Sequence, residues 1–306
     1  MRKTFPVQAL IMERISDVDR FMELVMNQNN LAKKCAFVYQ RKLAAKTFKD
    51  NDFVDLNKSL FEREMNIWIN IDCSNIAQLL KICFIRGKLY ALMPFYSKNL
   101  RELIVNSNHV EFEFAKKSIL EIIRGLSEVK KKFGIVHMDL KPENILVDFH
   151  EDTFSVYICD WGISTLQKKS CSELPSKDFI PPSFVNTMKG MGTLPYMSPE
   201  RLKGSTADVS ADIYSLGLMF YELLFLALPY NEMSSKTLEA QILNHDYYYI
   251  AEDALNNNFD GKICELILKC IHPDPHKRFH DYDRLAKSVG QLGKRKFFSF
   301  HRKETL

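Results

Sequence analysis

The sequence predicts an α+β protein of two lobes, a small β-rich lobe with one key helix and a larger, mainly helical lobe. Short apolar runs at Cys35–Tyr39 and Leu43–Ala45 are typical of strands. From Leu56 to Ile71 the apolar residues instead recur at the helical period. Helical patterns dominate after Ser97, so the change near residues 94–97 predicts a hinge between the lobes.

The same patterns predict the elements that follow in each lobe. Two further strands are expected at Ala77–Ile85 and Lys88–Phe95, around a turn that contains Gly87. The predicted helices are Asn99–Val105, Phe112–Phe133, 210–226, 235–243 and 261–271. Gly134 follows the second of these helices, in a place where a glycine commonly ends a helix.

Composition argues against several classes of protein. The 306 residues carry a net charge of +4, which is too weak to favour nucleic acid as a partner. Hydrophobic residues make up 46% of the chain, an ordinary share for a soluble globular protein. The 7 cysteines include no C-x-x-C pair, and the basic N-terminus lacks a signal-peptide pattern, so we expect a cytoplasmic protein.

The strongest chemical signal is the string H-M-D-L-K-P-E-N at His137–Asn144, followed by D-W-G at Asp160–Gly162. Each string comes after apolar, strand-like residues, so both are expected on loops. Phosphoryl transfer needs a positioned hydroxyl, metal ions on the phosphates and cationic charge, with little covalent help from the protein. Two acids and an amide on adjacent loops suit that chemistry, because the hard Mg²⁺ ion prefers oxygen ligands.

The two strings together resemble the signature of the protein kinase family, and the resemblance extends over about residues 20–285. It implies that Asp139 accepts the proton of the substrate hydroxyl. It also implies that Asn144 and Asp160 are the magnesium ligands. Lys141 matches the lysine that contacts the γ-phosphate of ATP in serine/threonine kinases, so the resemblance favours Ser and Thr acceptors.

Earlier in the chain, L-A-A-K at Leu43–Lys46 resembles the strand lysine motif of the family. By this resemblance Lys46 binds the α- and β-phosphates of ATP and pairs with a helix carboxylate. Glu64 is the expected partner, and Glu62 is the alternative. The other residues that the resemblance assigns to the nucleotide are Ala32, Cys35, Ala44, Met93, Pro94, Tyr96 and Leu146.

The string G-T-L-P-Y-M-S-P-E at Gly192–Glu200 resembles the end of a kinase activation segment. Thr193 matches a threonine that bonds the catalytic Asp and Lys in serine/threonine kinases. The resemblance further implies an ion pair between Glu200 and Arg278, and a brace for the catalytic-loop backbone at Asp212. The implied catalytic set is Asp139, Lys141, Lys46, Glu64 and Thr193.

The glycine-rich loop of the family is missing from this chain. In the best register, Asn30, Ala32 and Cys35 stand at the three glycine positions. Glycines there let backbone N–H groups approach phosphates closely, so larger side chains imply weaker or differently held ATP phosphates. This departure favours the alternative interpretation, a pseudokinase or allosteric binding module with weak or no transfer activity.

Two further departures lie in the catalytic strings themselves. Met138 replaces the arginine that receives an activation-loop phosphate in the family, so we expect activity without that phosphorylation. Trp161 replaces the usual phenylalanine, and we expect it to pack with His137 and Trp68 in one apolar column.

The sequence thus predicts an ATP-dependent serine/threonine protein kinase that uses Mg²⁺, with Mn²⁺ as an alternative metal. Its expected partners are protein substrates with Ser or Thr acceptors, not nucleic acids. The basic aromatic tail could also contact a membrane surface weakly. The predicted domain bounds are an N-terminal extension at 1–19, a kinase domain at 20–290 (N-lobe 20–93, hinge 94–97, C-lobe 98–290) and a tail at 291–306.

Overall fold

The structure is a computed structural model that describes parts of the N-terminal third of the chain and most of the remainder. The described residues are 43–46, 62, 64–85, 88–151, 153–161, 165–166, 193–205, 208–230 and 234–293. Several predictions therefore lie outside the described residues. They are the Cys35–Tyr39 strand, the Gly87 turn, the glycine-loop positions and the basic tail.

The chain divides into two compact units. The smaller unit takes in the chain up to Asp72 together with Ala77–Ser97, and the larger takes in Cys73–Ile76 and the chain from Lys98 onward. A strand-bearing part therefore precedes a mainly helical part, in the order that the sequence predicts.

The described part of the smaller unit contains a three-stranded antiparallel sheet and one helix. The strands are β1 (Leu43–Lys46), β2 (Lys81–Ile85) and β3 (Lys88–Pro94), with β3 in the middle. A continuous apolar run in β3, residues 91–93, is buried, as expected for a strand with neighbours on both sides. The helix, α1, is described over 64–68.

The strand predicted from Ala77 begins later, at Lys81. The carbonyl oxygen of Ala77 accepts a hydrogen bond from Nε1 of Trp68 at 2.5 Å, so it is already engaged. Pairing starts only at Leu80, whose N–H donates to the carbonyl oxygen of Leu92 at 2.7 Å. A side-chain donor thus replaces strand pairing at the start of the predicted run.

The larger unit is mainly helical. Its helices are α2 (Leu100–Asn106), α3 (Phe112–Phe133), α4 (Pro199–Leu202), α5 (Val209–Phe225), α6 (Ser235–Asn244), α7 (Asp246–Asn258), α8 (Gly261–Cys270) and α9 (Tyr282–Gly290). Its strands are β4 (Lys98–Asn99), β5 (Ile135–Val136), β6 (Ile145–Phe149), β7 (Phe154–Ile158) and β8 (Thr165–Leu166). β6 pairs with β4 and β7, and β5 pairs with β8. The predicted catalytic strings at His137 and Asp160 therefore follow β5 and β7.

Helices α3 and α5 contribute many of the buried residues of the larger unit. Helix α3 begins and ends at the predicted residues, and Gly134 caps it with a φ of 67° while its N–H donates to the carbonyl of Lys130. Helix α5 is buried continuously from Val209 to Leu223, and its sequence is mainly apolar, as a helix buried on all sides requires. Among the helices that the structure describes, none is both long and apolar enough to cross a membrane.

Helices α7 and α9 are not predicted from the sequence. In α7, Tyr247, Ala251 and Leu255 are spaced four residues apart and all are buried. Tertiary packing of this face stabilises a segment whose tyrosines and asparagines have low helix propensity. Helix α9 begins after Asp281, whose side chain accepts a hydrogen bond from the N–H of Arg284.

Gly217 lies where α5 packs closely against the end of α8. A Cβ atom added at Gly217 would lie 2.6 Å from Cβ of Cys270 and 2.7 Å from Cγ2 of Ile271, closer than packed atoms allow. We expect Gly217→Ala to lower the free energy of unfolding by about 1–3 kcal/mol, the usual cost of overpacking. Denaturant unfolding followed by circular dichroism measures this change.

Gly261→Ala is the matched control, because a Cβ atom at Gly261 would meet nothing within 4 Å. This variant should unfold within about 0.5 kcal/mol of the wild type. Equal stability of the two variants would contradict the tight packing at Gly217.

Candidate active site

In the smaller unit, the lysine that is predicted to contact ATP phosphates forms the predicted ion pair. Nζ of Lys46 on β1 lies 2.5 Å from Oε1 of Glu64 on α1. Glu64 is buried, and a carboxylate removed from water needs a charged donor of this kind. Glu62, the alternative partner, is exposed. The structure therefore favours Glu64 as the partner of Lys46.

Trp68 is a second contact of Lys46. Nζ of the lysine lies 5.7 Å from the centroid of the Trp68 ring, a distance typical of a cation–π interaction. The indole Nε1 donates to the carbonyl oxygen of Ala77, which fixes the orientation of the ring. Trp68 follows Glu64 by four residues, so two side chains on one face of α1 hold the same ammonium group.

The predicted adenine-lining residues of the smaller unit lie on two paired strands and just after them. Ala44 of β1 pairs with Met93 of β3, and both side chains are buried. Pro94 is the last residue of β3, and Tyr96 follows it as a half-buried residue. Their roles in nucleotide binding stay predictions.

Three other residues predicted to contact the nucleotide lie elsewhere in the chain. Leu146 is a buried residue of β6 in the larger unit. Ala32 and Cys35 lie outside the described residues. Their roles also stay predictions.

In the larger unit, the predicted catalytic residues share one cluster of hydrogen bonds. Oδ2 of Asp139 lies 3.0 Å from Nζ of Lys141, and Oδ1 accepts from the N–H of Thr193 at 3.0 Å. Lys141 also donates to Oγ1 of Thr193 at 2.6 Å. Asp139 and Lys141 are both buried. The catalytic loop and the segment that begins at Thr193 are therefore joined at the carboxylate that is predicted to accept the substrate proton.

The backbone of this loop is held by one buried carboxylate, as the sequence predicts. Asp212 of α5 accepts hydrogen bonds from the N–H groups of His137 at 2.9 Å and Met138 at 2.7 Å. Met138 has a φ of 74°, a left-handed conformation that residues with bulky side chains rarely adopt. Such conformations persist only where the surrounding structure holds them, and they are common at functional sites. Asp212 provides that support here.

A backbone hydrogen bond joins the two segments that carry the predicted metal ligands, Asn144 and Asp160. The N–H of Cys159, next to Asp160, donates to the carbonyl oxygen of Asn144 at 2.9 Å. Nδ2 of Asn144 donates to the carbonyl of Asp139 at 2.8 Å. Because a carbonyl can only accept, the nitrogen of the Asn144 amide must face it, and the amide oxygen points the other way, where it can bind a metal. A carboxylate and an amide oxygen are hard ligands, so these residues fit a Mg²⁺ ion.

Trp161 packs against the catalytic loop, as predicted. The ring centroids of His137 and Trp161 lie 4.6 Å apart in an edge-on arrangement, and both residues are fully buried. Nε2 of His137 also lies 3.1 Å from the carbonyl oxygen of Cys159. The predicted contact of this pair with Trp68 stays a prediction.

Comparison with known proteins identifies the family of the chain. A model of the protein kinase domain matches residues 32–289, well over half of the chain. The chain belongs to the protein kinase family. This finding confirms the predicted family and the predicted fold class, while the exact domain bounds stay a prediction.

Known kinases are similar to the chain at low identity. The serine/threonine-protein kinase PknD of Chlamydia caviae is 28% identical over 272 residues, which cover 83% of this chain and 28% of that protein. A probable serine/threonine-protein kinase of Clostridium perfringens is 27% identical, with 83% of this chain and 34% of that protein covered. Mitogen-activated protein kinase kinase 1 of Arabidopsis thaliana is 27% identical, with coverages of 77% and 61%. The chain thus spans less than two thirds of each relative.

In this kinase domain, Arg278 forms the predicted ion pair and uses every donor that it has. Its guanidinium contacts both carboxylate oxygens of Glu200, at 2.7 and 2.9 Å. Its other N–H groups donate to the carbonyl oxygens of His272, Ser210 and Pro273. An arginine has five N–H donors, and all are satisfied here although the side chain is buried. The end of the activation segment is therefore anchored to the interior of the larger unit.

A second charged cluster, which is not predicted from the sequence, includes a residue of the catalytic loop. Arg101 of α2 lies 2.8 Å from Glu143 in the loop and 2.5 Å from Glu222 of α5. Burial and then the Glu222 carboxylate hold the pKa of Tyr196 well above its usual value, so its phenol stays protonated and donates to Glu222. No local signal could have revealed the cluster, because its members lie on separate segments.

We expect Arg278→Lys to lower the free energy of unfolding by about 2–5 kcal/mol, because three ammonium donors cannot satisfy acceptors that five guanidinium donors satisfy. Arg284→Lys is the matched control, since the Arg284 side chain is 77% exposed. Chemical denaturation of both variants measures the difference. If Arg278→Lys were as stable as the control, the proposed anchoring role of Arg278 would be wrong.

Proposed function

We propose that the chain is an ATP-dependent serine/threonine protein kinase that transfers the γ-phosphate of ATP to Ser or Thr hydroxyls of proteins. The observation that carries this proposal is the cluster of Asp139, Lys141 and Thr193, in which a buried acid, a buried cation and a half-buried hydroxyl converge. Family membership supports ATP and a divalent metal as the cofactors. The names of the relatives support Ser and Thr as acceptors.

In the proposed reaction, Asp139 orients the substrate hydroxyl and takes up its proton. The hydroxyl oxygen forms a bond to the γ-phosphorus, while the bond from that phosphorus to the oxygen shared with the β-phosphate breaks. Lys141, whose ammonium lies 3.0 Å from the Asp139 carboxylate, is the proposed source of positive charge for the transferred group. Lys46 contacts the α- and β-phosphates, and Glu64 holds its ammonium in place.

Asn144 and Asp160 are the proposed ligands of Mg²⁺, or of Mn²⁺ as the alternative. When bound, the metal supplies charge neutralisation at the phosphates. The hydrogen bond from Asn144 to the carbonyl of Asp139 orients the amide, so its oxygen is preset as a ligand. The hydrogen bond from the N–H of Cys159 to the backbone carbonyl of Asn144 ties the segment that carries Asp160 to the one that carries Asn144.

A pseudokinase or allosteric binding module is the second candidate function. The residues at the glycine positions favour it, because the side chains of Asn30 and Cys35 would hinder close approach of backbone N–H groups to phosphates. The charged groups around Asp139 favour transfer instead, since a module that only binds has no need of a buried acid in contact with a lysine.

The proposed partners are proteins with Ser or Thr acceptors, and the proposed location is the cytoplasm. The dispersed cysteines support a reducing compartment. Because the chain spans only part of its relatives, the activity and the substrates of the whole protein belong to the proposal as well. Weak contact of the basic tail with a membrane surface also stays a proposal.

Phosphate transfer from γ-labelled ATP with Mg²⁺ tests the proposal. The wild type should label itself or a generic protein substrate, and mass spectrometry should locate the phosphate on Ser or Thr. Asp139→Asn and Lys46→Met should each lower the rate by at least about 100-fold, because each removes a group that handles the proton or the phosphates.

Asp253→Asn and Lys262→Met are matched controls, because both residues are exposed on α7 and α8. Both should keep the wild-type rate. A wild type that binds nucleotide without any transfer would favour the pseudokinase. Labelling of tyrosine alone would overturn the Ser/Thr assignment.

Phosphatase-treated protein should keep at least about half of the untreated rate, because the arginine that would receive an activation-segment phosphate is replaced by Met138. Mass spectrometry of the treated protein checks that the phosphate has been removed. Loss of nearly all activity on treatment, with recovery after the protein is phosphorylated again, would refute this prediction.

A further inference from the structure

Arg201 is a buried arginine that the predicted catalytic set does not include. It lies on α4, directly after Glu200, and is only 9% exposed. Its Nη1 donates a hydrogen bond to the carbonyl oxygen of Met138 in the catalytic loop. The side chain therefore crosses from the end of the activation segment to the residue that precedes Asp139.

This contact acts on the peptide unit that leads into Asp139. The carbonyl of Met138 and the N–H of Asp139 belong to the same rigid peptide plane. Arg201 binds the carbonyl end, and Nδ1 of His137 accepts from the N–H end at 3.2 Å. The N–H of Met138 itself donates to Asp212. Both ends of this peptide plane are thus held. The fixed plane in turn sets the direction in which the Asp139 side chain projects from the backbone.

The charge of Arg201 also matters at this place. A buried cation is costly unless anionic groups and acceptors surround it. Burial lowers the pKa of Arg201, and the carboxylates of Asp139, Asp212 and Glu200 oppose that effect. Met138 brings no charge to the loop, although the family pattern has a cation at that position. Arg201 places a guanidinium beside the same residue from another element.

We propose that Arg201 is a positioning residue for phosphoryl transfer, which holds the Met138–Asp139 peptide and couples the end of the activation segment to the catalytic loop without a phosphate. This inference rests on the proposed kinase function. Through Arg201, the segment from Thr193 to Leu202 controls the position of Asp139. The guanidinium of Arg201 thus supplies a cation at the carbonyl of Met138, in a loop where methionine replaces the arginine of the family.

Three substitutions of Arg201, studied in phosphatase-treated protein, test the proposal. Arg201→Met and Arg201→Gln remove the charge, and each should lower kcat by about 10- to 100-fold, because small errors of position at the reacting groups have effects of this size. The KM for ATP should stay within about 2-fold, because Lys46 and its partners are untouched. Arg201→Lys retains a positive charge that can donate to the carbonyl of Met138, and it should keep kcat within about 5-fold of the wild type.

Arg284→Met is the control for the loss of an arginine, because its side chain is 77% exposed, and it should leave kcat unchanged. Each measured rate is divided by the folded fraction of that protein, which is obtained from the amplitude of its cooperative unfolding transition on heating. Wild-type kcat in a folded Arg201→Met or Arg201→Gln would overturn the proposal. So would equal losses in Arg201→Lys and Arg201→Met, because the charge would then be irrelevant.

The folding of the variants and the activity of the wild type decide the remaining outcomes. If both neutral variants fail to fold while Arg201→Lys is normal, Arg201 has a structural role only and the positioning role is wrong. If the wild type transfers no phosphate, the proposed kinase function fails first, and this inference falls with it. An active wild type beside an unimpaired neutral variant overturns this inference alone.

Discussion

One buried carboxylate, that of Asp212, sets the geometry on which the candidate active site depends. It lies in the first turn of α5 and accepts hydrogen bonds from the N–H groups of His137 and Met138 and from the hydroxyl of Tyr282. A buried charge is tolerated only when donors satisfy it, and each bond to a charged group contributes about 1.5–3 kcal/mol. The partial positive charge at the start of the helix stabilises the carboxylate further. These bonds compensate for the unfavourable backbone conformation of Met138.

The end of the activation segment, from Thr193 to Arg201, is attached to this loop and to the interior of the larger unit by hydrogen bonds. Thr193 bonds the Asp139 carboxylate, Arg201 bonds the loop backbone, and Glu200 is anchored by Arg278. A hydrogen-bonded group that is oriented before the reaction costs no reorganisation when charge develops, which is the main source of catalytic power in such sites. With methionine at position 138, the hydrogen bonds around Asp139, the proposed proton acceptor, are nevertheless all formed.

Sequence predicts best where the chemistry requires particular residues close together. The string around Asp139 and the whole of helix α3 follow from contiguous residues, because motif spacing and apolar period are local properties. Helix α7 does not, because its tyrosines and asparagines favour a helix only when its buried face meets the rest of the unit. The contacts of Arg101 and Arg201 also escape prediction, since a charge on one segment does not indicate its partner on another.

If Asp212 presets the loop, the loop has its reacting geometry before nucleotide, substrate or phosphate is present. Amide hydrogen exchange of nucleotide-free, phosphatase-treated protein tests this most directly, because the N–H groups of His137 and Met138 both donate to Asp212. These two amides should exchange as slowly as the amides in the middle of α5. Exchange as fast as that of exposed loop amides, or protection that arises only after ATP is added, would contradict a preset loop.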